Sequence, residues 1–203
     1  MTVRLASIAI VLALATAVLG FLVTQRPPAQ LDIAAVALRG HAVSAALFFT
    51  SLGRWWMLLP ISVAAFGIAM ALRANLVPLV VVLGTQAVSQ AATALVKFAF
   101  HRVRPGGFIG DPEADLSFPS GHSVTALVFF GGLAVLAWHA PLPRPLAAVA
   151  VAVLAVCVVG IPWSRLALGA HYATDVLGGV LFGGAWLCVA LAVLLRLAAT
   201  ATR

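Results

Sequence analysis

Long apolar runs recur along this chain, and they decide what it can fold into. Leu5–Thr24, Trp55–Leu72, Leu76–Phe98, Val124–Trp138, Leu146–Trp163 and Asp175–Leu195 are almost free of charge. A helix needs about 17–25 mostly apolar residues to cross a bilayer. Lipid offers no hydrogen-bond partners, so a spanning segment must satisfy its own backbone, which a helix does. The expectation is an all-α, polytopic membrane helix bundle of about six transmembrane helices, a single domain over residues 1–203. Composition agrees, with 64% of residues hydrophobic and 8% charged. A soluble globular chain carries roughly 25% charged residues. So few charges could not hydrate a soluble surface, and the same apolar excess excludes disorder.

Between the first two spans lies a more polar stretch, Gln25 to Arg54, within which Leu31–Leu52 suits the membrane interface. The Trp55-Trp56 pair at the mouth of the second span suits the membrane–water boundary. A secretory signal peptide is the competing reading of Leu5–Thr24. Its apolar run exceeds the usual 7–15-residue signal core, and no convincing cleavage site follows. The net charge of +7 does not indicate nucleic acid, because eleven of the twelve basic residues are scattered arginines with no basic run or stripe. Cys157 and Cys188 lie inside apolar runs and read as small hydrophobes.

Six alternating spans put both termini on one face. Arg4, Arg73, Arg144, Arg196 and Arg203 share that face. Arg26, Arg39, Arg54, Lys97, Arg102, Arg104 and Arg165 fall on the other, together with all five acids, Asp32, Asp111, Glu113, Asp115 and Asp175. The rule that counts Lys and Arg on the inner side then reads five against seven, or five against four without three residues needed below. Charge alone assigns no sidedness.

The same alternation brings four segments to one end of the bundle: Lys97, then Pro119-Ser120-Gly121-His122, then Ser164-Arg165, then His171 and Asp175. Ionisable residues at membrane depth are costly and are functional candidates. A lone Lys or Arg would be an interfacial anchor, but four segments converging on one face make a site. Each residue suits a phosphate. Arg104 offers a planar fork for two oxygens, and Pro105 biases it out of helical geometry, so the chain should turn there. Lys97 can extend its stem to the interface. Ser120 should cap the following helix, leaving the Gly121 and His122 amides open to an anion; an ordinary helix start with an interfacial His122 is the plainer alternative. His171 and Asp175 stand four apart, on one face of the sixth helix. A carboxylate there can hold the imidazole Nδ1–H and free Nε2 as a nucleophile. A metal pair is the competing explanation, against which stand the missing further ligands and the surrounding cations. Asp111–Asp115 reads as a solvated connection, with a gate or cation-binding lip as the alternative. His101 and Arg102 could add attraction for phosphate. His41 and His139 look incidental, and Gly178-Gly179 and Gly183-Gly184 read as close helix packing.

Lys97-x6-Arg104-Pro105, Pro119-Ser120-Gly121-His122 and Ser164-Arg165-x5-His171-x3-Asp175 together resemble the type 2 phosphatidic acid phosphatase superfamily of lipid phosphate phosphatases. The resemblance runs from Lys97 to Asp175, with every spacing kept. It implies that His171 attacks phosphorus to form a phosphohistidine and that Asp175 orients it. His122 would protonate the leaving group and then activate water. Lys97, Arg104, Ser120, Gly121 and Arg165 would hold the phosphoryl oxygens. It also implies no cofactor and no metal, and a site facing the periplasm or extracellular side of a bacterial cytoplasmic membrane, with both termini cytoplasmic. The expected partners are the bilayer and a lipid substrate: undecaprenyl pyrophosphate is favoured, then phosphatidylglycerol phosphate or phosphatidic acid. A phosphotransferase using the same histidine intermediate and a non-enzymatic lipid transporter are the alternatives. Transporter sites lie near the bilayer midplane between repeats, whereas these charges lie at one interface.

Overall fold

The computed structural model describes residues 1–110, 113 and 115–201. Asp111 and Arg203 lie outside the described residues. Among the described residues the chain is helical, without strands. The helices are α1 (Thr2–Thr24), α2 (Gln30–Ala35), α3 (Val43–Leu52), α4 (Trp55–Ala71), α5 (Val77–Phe100), α6 (Gly121–His139), α7 (Arg144–Ala167) and α8 (Ala173–Ala201). Five of them, α1, α5, α6, α7 and α8, are long and apolar enough to cross a membrane. With 17 residues, α4 sits at the short end of that range. The six expected spans are therefore present as helices, and the protein is an integral membrane protein.

The interfacial stretch folds as two short helical segments, Gln30–Leu38 and Val43–Leu52, bent by 114°. It does more than lie on the membrane, because α3 packs on α7. The Gly40 amide donates to Ala167 O at 2.9 Å, and Arg39 Nη2 donates to Gly169 O at 3.3 Å. These bonds tie the stretch to the α7–α8 turn.

Helix ends run past the apolar runs wherever the site begins. The third run stops at Phe98, but α5 continues to Phe100 and closes on His101, whose backbone is left-handed at φ 49°. The fifth run stops at Trp163, but α7 carries on through Ser164 and Arg165 to Ala167. Backbone hydrogen bonding, not hydropathy, sets these ends, so polar side chains are presented from rigid last turns. Within α6, residues Ala126–Gly131 adopt the wider π geometry, a form that often accompanies functional sites.

Tight packing holds the bundle together. α1 runs along α8, which agrees with a structural first span. A methyl group on Gly179 would lie 2.5 Å from Ser120 O and 2.7 Å from Ser123 Cβ, and one on Gly183 would lie 2.9 Å from Leu127 Cβ. The small residues of α8 thus let α6 approach backbone to backbone, as expected of helices in lipid. Leu79, Phe129, Phe130, Leu133 and Ile161 form the main apolar core. Val11, Phe21, Val149 and Val153 point outward, exposed, as a lipid-facing surface would. Cys157 and Cys188 are free thiols, each half-buried.

Candidate active site

At the end of the bundle shared by α4, α5, α6 and the α7–α8 turn lies a cleft of about 550 Å³. Lys97, Arg104, Gly121, His122 and His171 line it, alongside Gly53, Arg54 and Trp56. Five of the eight residues singled out by sequence therefore meet on one wall. The other three, Ser120, Arg165 and Asp175, are fully buried just behind it.

Arg104 reaches the site from the loop after α5, not from a continued helix. Its Nη1 donates to His171 Nε2 at 2.9 Å and to Ala170 O at 2.8 Å. A guanidinium has no acceptor, so Nε2 must carry the lone pair and the proton of neutral His171 must sit on Nδ1. The lone pair thus points at the cationic wall. Burial holds His171 well below its ordinary pKa, and the positive charges of Arg165, Arg104 and Lys97 push the same way. The imidazole is neutral at pH 7.

His171 and Asp175 are not arranged as expected. His171 precedes α8, which begins at Ala173, so the two do not share a helical face. Asp175 instead folds back over the first turn, its Oδ2 accepting from the Tyr172 amide at 2.9 Å. His171 Nδ1 is 3.5 Å from Asp175 Oδ2, long for a hydrogen bond. Ser117 stands between them, its Oγ 3.4 Å from His171 Nδ1 and donating to Asp175 Oδ2. Asp175 and a serine that the motifs do not contain thus both lie beside Nδ1, at 3.5 and 3.4 Å.

Ser120 caps α6 as expected, accepting from the Ser123 amide at 3.5 Å, while its own amide donates to Asp175 O at 3.0 Å. It is buried as a cap and, like Arg165 and Asp175, stands behind the residues that line the cleft. Gly121 does line it, at the open start of α6. Arg165, buried on the last turn of α7, is held by Thr50 Oγ1 of α3 and by Glu113. Arg165 Nε and His122 Nε2 are buried and have no hydrogen-bond partner among the described residues.

The acidic segment is not a plain solvated connection. Asp115 pairs with Lys97 and Arg104, and Glu113 bridges Arg104 at 2.8 Å and Arg165. Burial alone would raise the Asp115 carboxyl, but its hydrogen bond to Lys97 and the charges of Lys97 and Arg104 outweigh that and hold it below its ordinary value. Two carboxylates therefore engage all three cations, Lys97, Arg104 and Arg165. Arg102, whose direction the sequence leaves open, is oriented by the fold. It faces away from the cleft, onto Asp175 and Asp32. Among the described residues, no three His, Cys, Asp or Glu side chains cluster as a metal site would require. His41 and His139 are exposed on the surface.

An apolar groove of about 560 Å³ adjoins the cleft, lined by Leu59, Val63, Phe66 and Leu83 between α4 and α5. Trp55, Leu58, Gln86 and Gln90 belong to both spaces. Gln86 and Gln90 each donate to Thr125 Oγ1, at 2.9 and 3.0 Å, and form the polar floor where the two meet.

Sequence reasoning passed over Ser117, Thr50, Gly53, Arg54 and Asp32. One signal pointed to part of this: every acid falls on the same face as the site, where buried cations need partners.

Comparison with known proteins bears on this arrangement. A lipid A 1-phosphatase of Rhizobium etli is 37% identical over 100 residues, 44% of this chain and 39% of that protein. A protein named as an undecaprenyl-diphosphatase in Escherichia coli is 43% identical over 70 residues, 34% of this chain and 31% of its own length. The chain thus matches less than two fifths of these relatives' lengths. The fold is similar to the crystal structure of a transmembrane PAP2-type phosphatidylglycerolphosphate phosphatase from Bacillus subtilis. That likeness has a TM-score of 0.76 at 26% identity and covers 90% of this chain and 94% of that one. Residues 75–198, more than half of the chain and all three motifs, match the PAP2 superfamily, and the chain belongs to that family.

Proposed function

We propose that the protein is a membrane lipid phosphatase or pyrophosphatase working through a phosphohistidine on His171, with the whole chain acting as one membrane unit. The observation that carries this reading is the His171 Nε2 lone pair, fixed by Arg104 at 2.9 Å in a cationic cleft that opens onto an apolar groove. A phosphate monoester or anhydride enters the cleft and displaces Glu113 and Asp115 from Lys97, Arg104 and Arg165. Its oxygens take the cations and the Gly121 amide, while its chain lies in the groove.

Nε2 attacks phosphorus; an N–P bond forms as the P–O bond to the lipid breaks. His122 gives its proton to the departing oxygen. In the second step a water loses a proton to His122 and attacks phosphorus, the N–P bond breaks, and phosphate leaves with His171 restored. Charge stabilisation by fixed cations supplies most of the acceleration, as expected of phosphoryl transfer. No cofactor or metal is invoked. Undecaprenyl pyrophosphate is the favoured substrate, because a long isoprenoid suits an apolar groove and one relative is named for that activity. Phosphatidylglycerol phosphate and phosphatidic acid are next. The site faces the periplasm or extracellular side, and both termini are cytoplasmic.

The test is phosphate release in EDTA by detergent-purified protein from these three lipids, with His171→Ala alongside. Release lost in the variant supports the reading. Equal release from both proteins, or none from any lipid, overturns it.

A further inference from the structure

Behind His171 lies a second buried network that the three motifs do not explain. Its centre is the Arg102 guanidinium. Nη1 donates to Asp175 Oδ1 and to Thr174 Oγ1 at 2.7 Å, and Nη2 donates to Asp32 Oδ2 at 2.9 Å. Asp32, on α2, also accepts from the Thr174 amide at 2.8 Å and from the Thr174 hydroxyl at 2.9 Å. The Tyr172 ring covers the guanidinium, with its centroid 4.3 Å away. Asp32, Arg102 and Asp175 are 3%, 7% and 0% exposed. A buried guanidinium between two carboxylates is fixed in place, because removing either partner leaves an uncompensated charge. Asp32 lies outside the part of the chain that matches the family, residues 75–198.

We propose that Asp32 and Arg102 are positioning residues for His171. Asp32 anchors Arg102, and Arg102 holds Asp175 Oδ1, which leaves Oδ2 aimed at Ser117 and His171 Nδ1. Arg104 sets the Nδ1–H tautomer from the Nε2 side, and this chain of contacts holds the Nδ1 edge of the ring in place, with Nε2 toward phosphorus. The inference rests on the phosphohistidine reading of the site.

Two measurements test it. In the phosphate-release assay with undecaprenyl pyrophosphate, Asp32→Asn keeps the side chain's shape but removes its charge. Its kcat should fall about 10- to 100-fold, by analogy with loss of an outer-shell partner that orients a metal-bound histidine, while KM stays within about twofold. Arg102→Met should fall at least as far. The double variant should match Arg102→Met alone, because Asp32 acts through Arg102. Wild-type kcat in both single variants, or effects that multiply in the double, overturns the proposal. The second measurement needs no turnover. In ¹⁵N-histidine-labelled protein, His171 should read as Nδ1–H in both proteins, because Arg104 fixes the tautomer, but its Nδ1–H proton should exchange with solvent at least about tenfold faster in Arg102→Met. An unchanged exchange rate overturns the proposal even if the protein hydrolyses none of the lipids. If Arg102→Met does not fold, Arg102→Lys, which can reach only one of the two carboxylates, gives the same comparison. Wild-type protein without phosphate release, but with faster Nδ1–H exchange in Arg102→Met, would overturn the function and leave the positioning role standing.

Discussion

Asp115 and Glu113 hold the same cations that a substrate phosphate would need, and this has a measurable consequence. Glu113→Gln and Asp115→Asn should each tighten inhibition by orthovanadate roughly fivefold, the equivalent of the ~1 kcal/mol that a partly exposed ion pair contributes. Weaker inhibition would mean that the carboxylates help to bind the anion. His171 supplies a second prediction at this scale. Protonation removes its nucleophilic lone pair, so the rate falls on the acid side, and its lowered pKa moves that fall below the ordinary histidine value of about 6.5. The acid limb of the kcat/KM profile should therefore lie below pH ~6.5; an acid limb centred above that value would contradict the burial argument. Lys97, Arg104, Gly121, His122 and His171 were legible in the sequence because apolar spans leave few places for polar side chains. Ser117, Asp32 and the direction of Arg102 were not. Residues 32, 102, 117 and 175 come from separate segments that meet only in the fold, and no local periodicity encodes their meeting.

Elements fix the site by close approach at glycines. Gly53, at the α3–α4 junction, packs against the His122 ring, and a Cβ there would run into it. Gly53→Ala should displace the imidazole and lower kcat at least tenfold with a small loss of thermal stability; unaltered kinetics would show that the ring can move without cost. Gly179→Ala is different, because its Cβ would meet the Ser120 carbonyl, which is backbone and cannot swing away. It should cost about 1–3 kcal/mol, read as a lower melting temperature in detergent. The six spans were visible as apolar runs. Their ends were not, because α5 and α7 carry polar residues on their last turns, and hydropathy cannot distinguish such a turn from a loop. The bend at the Gln30–Leu52 stretch was equally hidden, since contacts with α7 and the α7–α8 turn create it.

For the whole molecule, the cleft and the adjoining groove share Trp55, Leu58, Gln86 and Gln90, and under the proposed function they would form one path from lipid to phosphate. Leu83→Trp should fill the groove between α4 and α5 and raise KM for undecaprenyl pyrophosphate severalfold, while hydrolysis of the small ester p-nitrophenyl phosphate is unchanged. Equal losses on both would place the lipid chain elsewhere. The proposed mechanism turns on a bond between phosphorus and His171. The most direct measurement is acid-sensitive, alkali-stable label trapped on the protein after rapid quenching with ³²P-labelled undecaprenyl pyrophosphate, mapped by peptide sequencing. The account predicts label on His171 in the wild type and none in His171→Ala. Turnover without label on His171, or label and turnover that persist in His171→Ala, would contradict it.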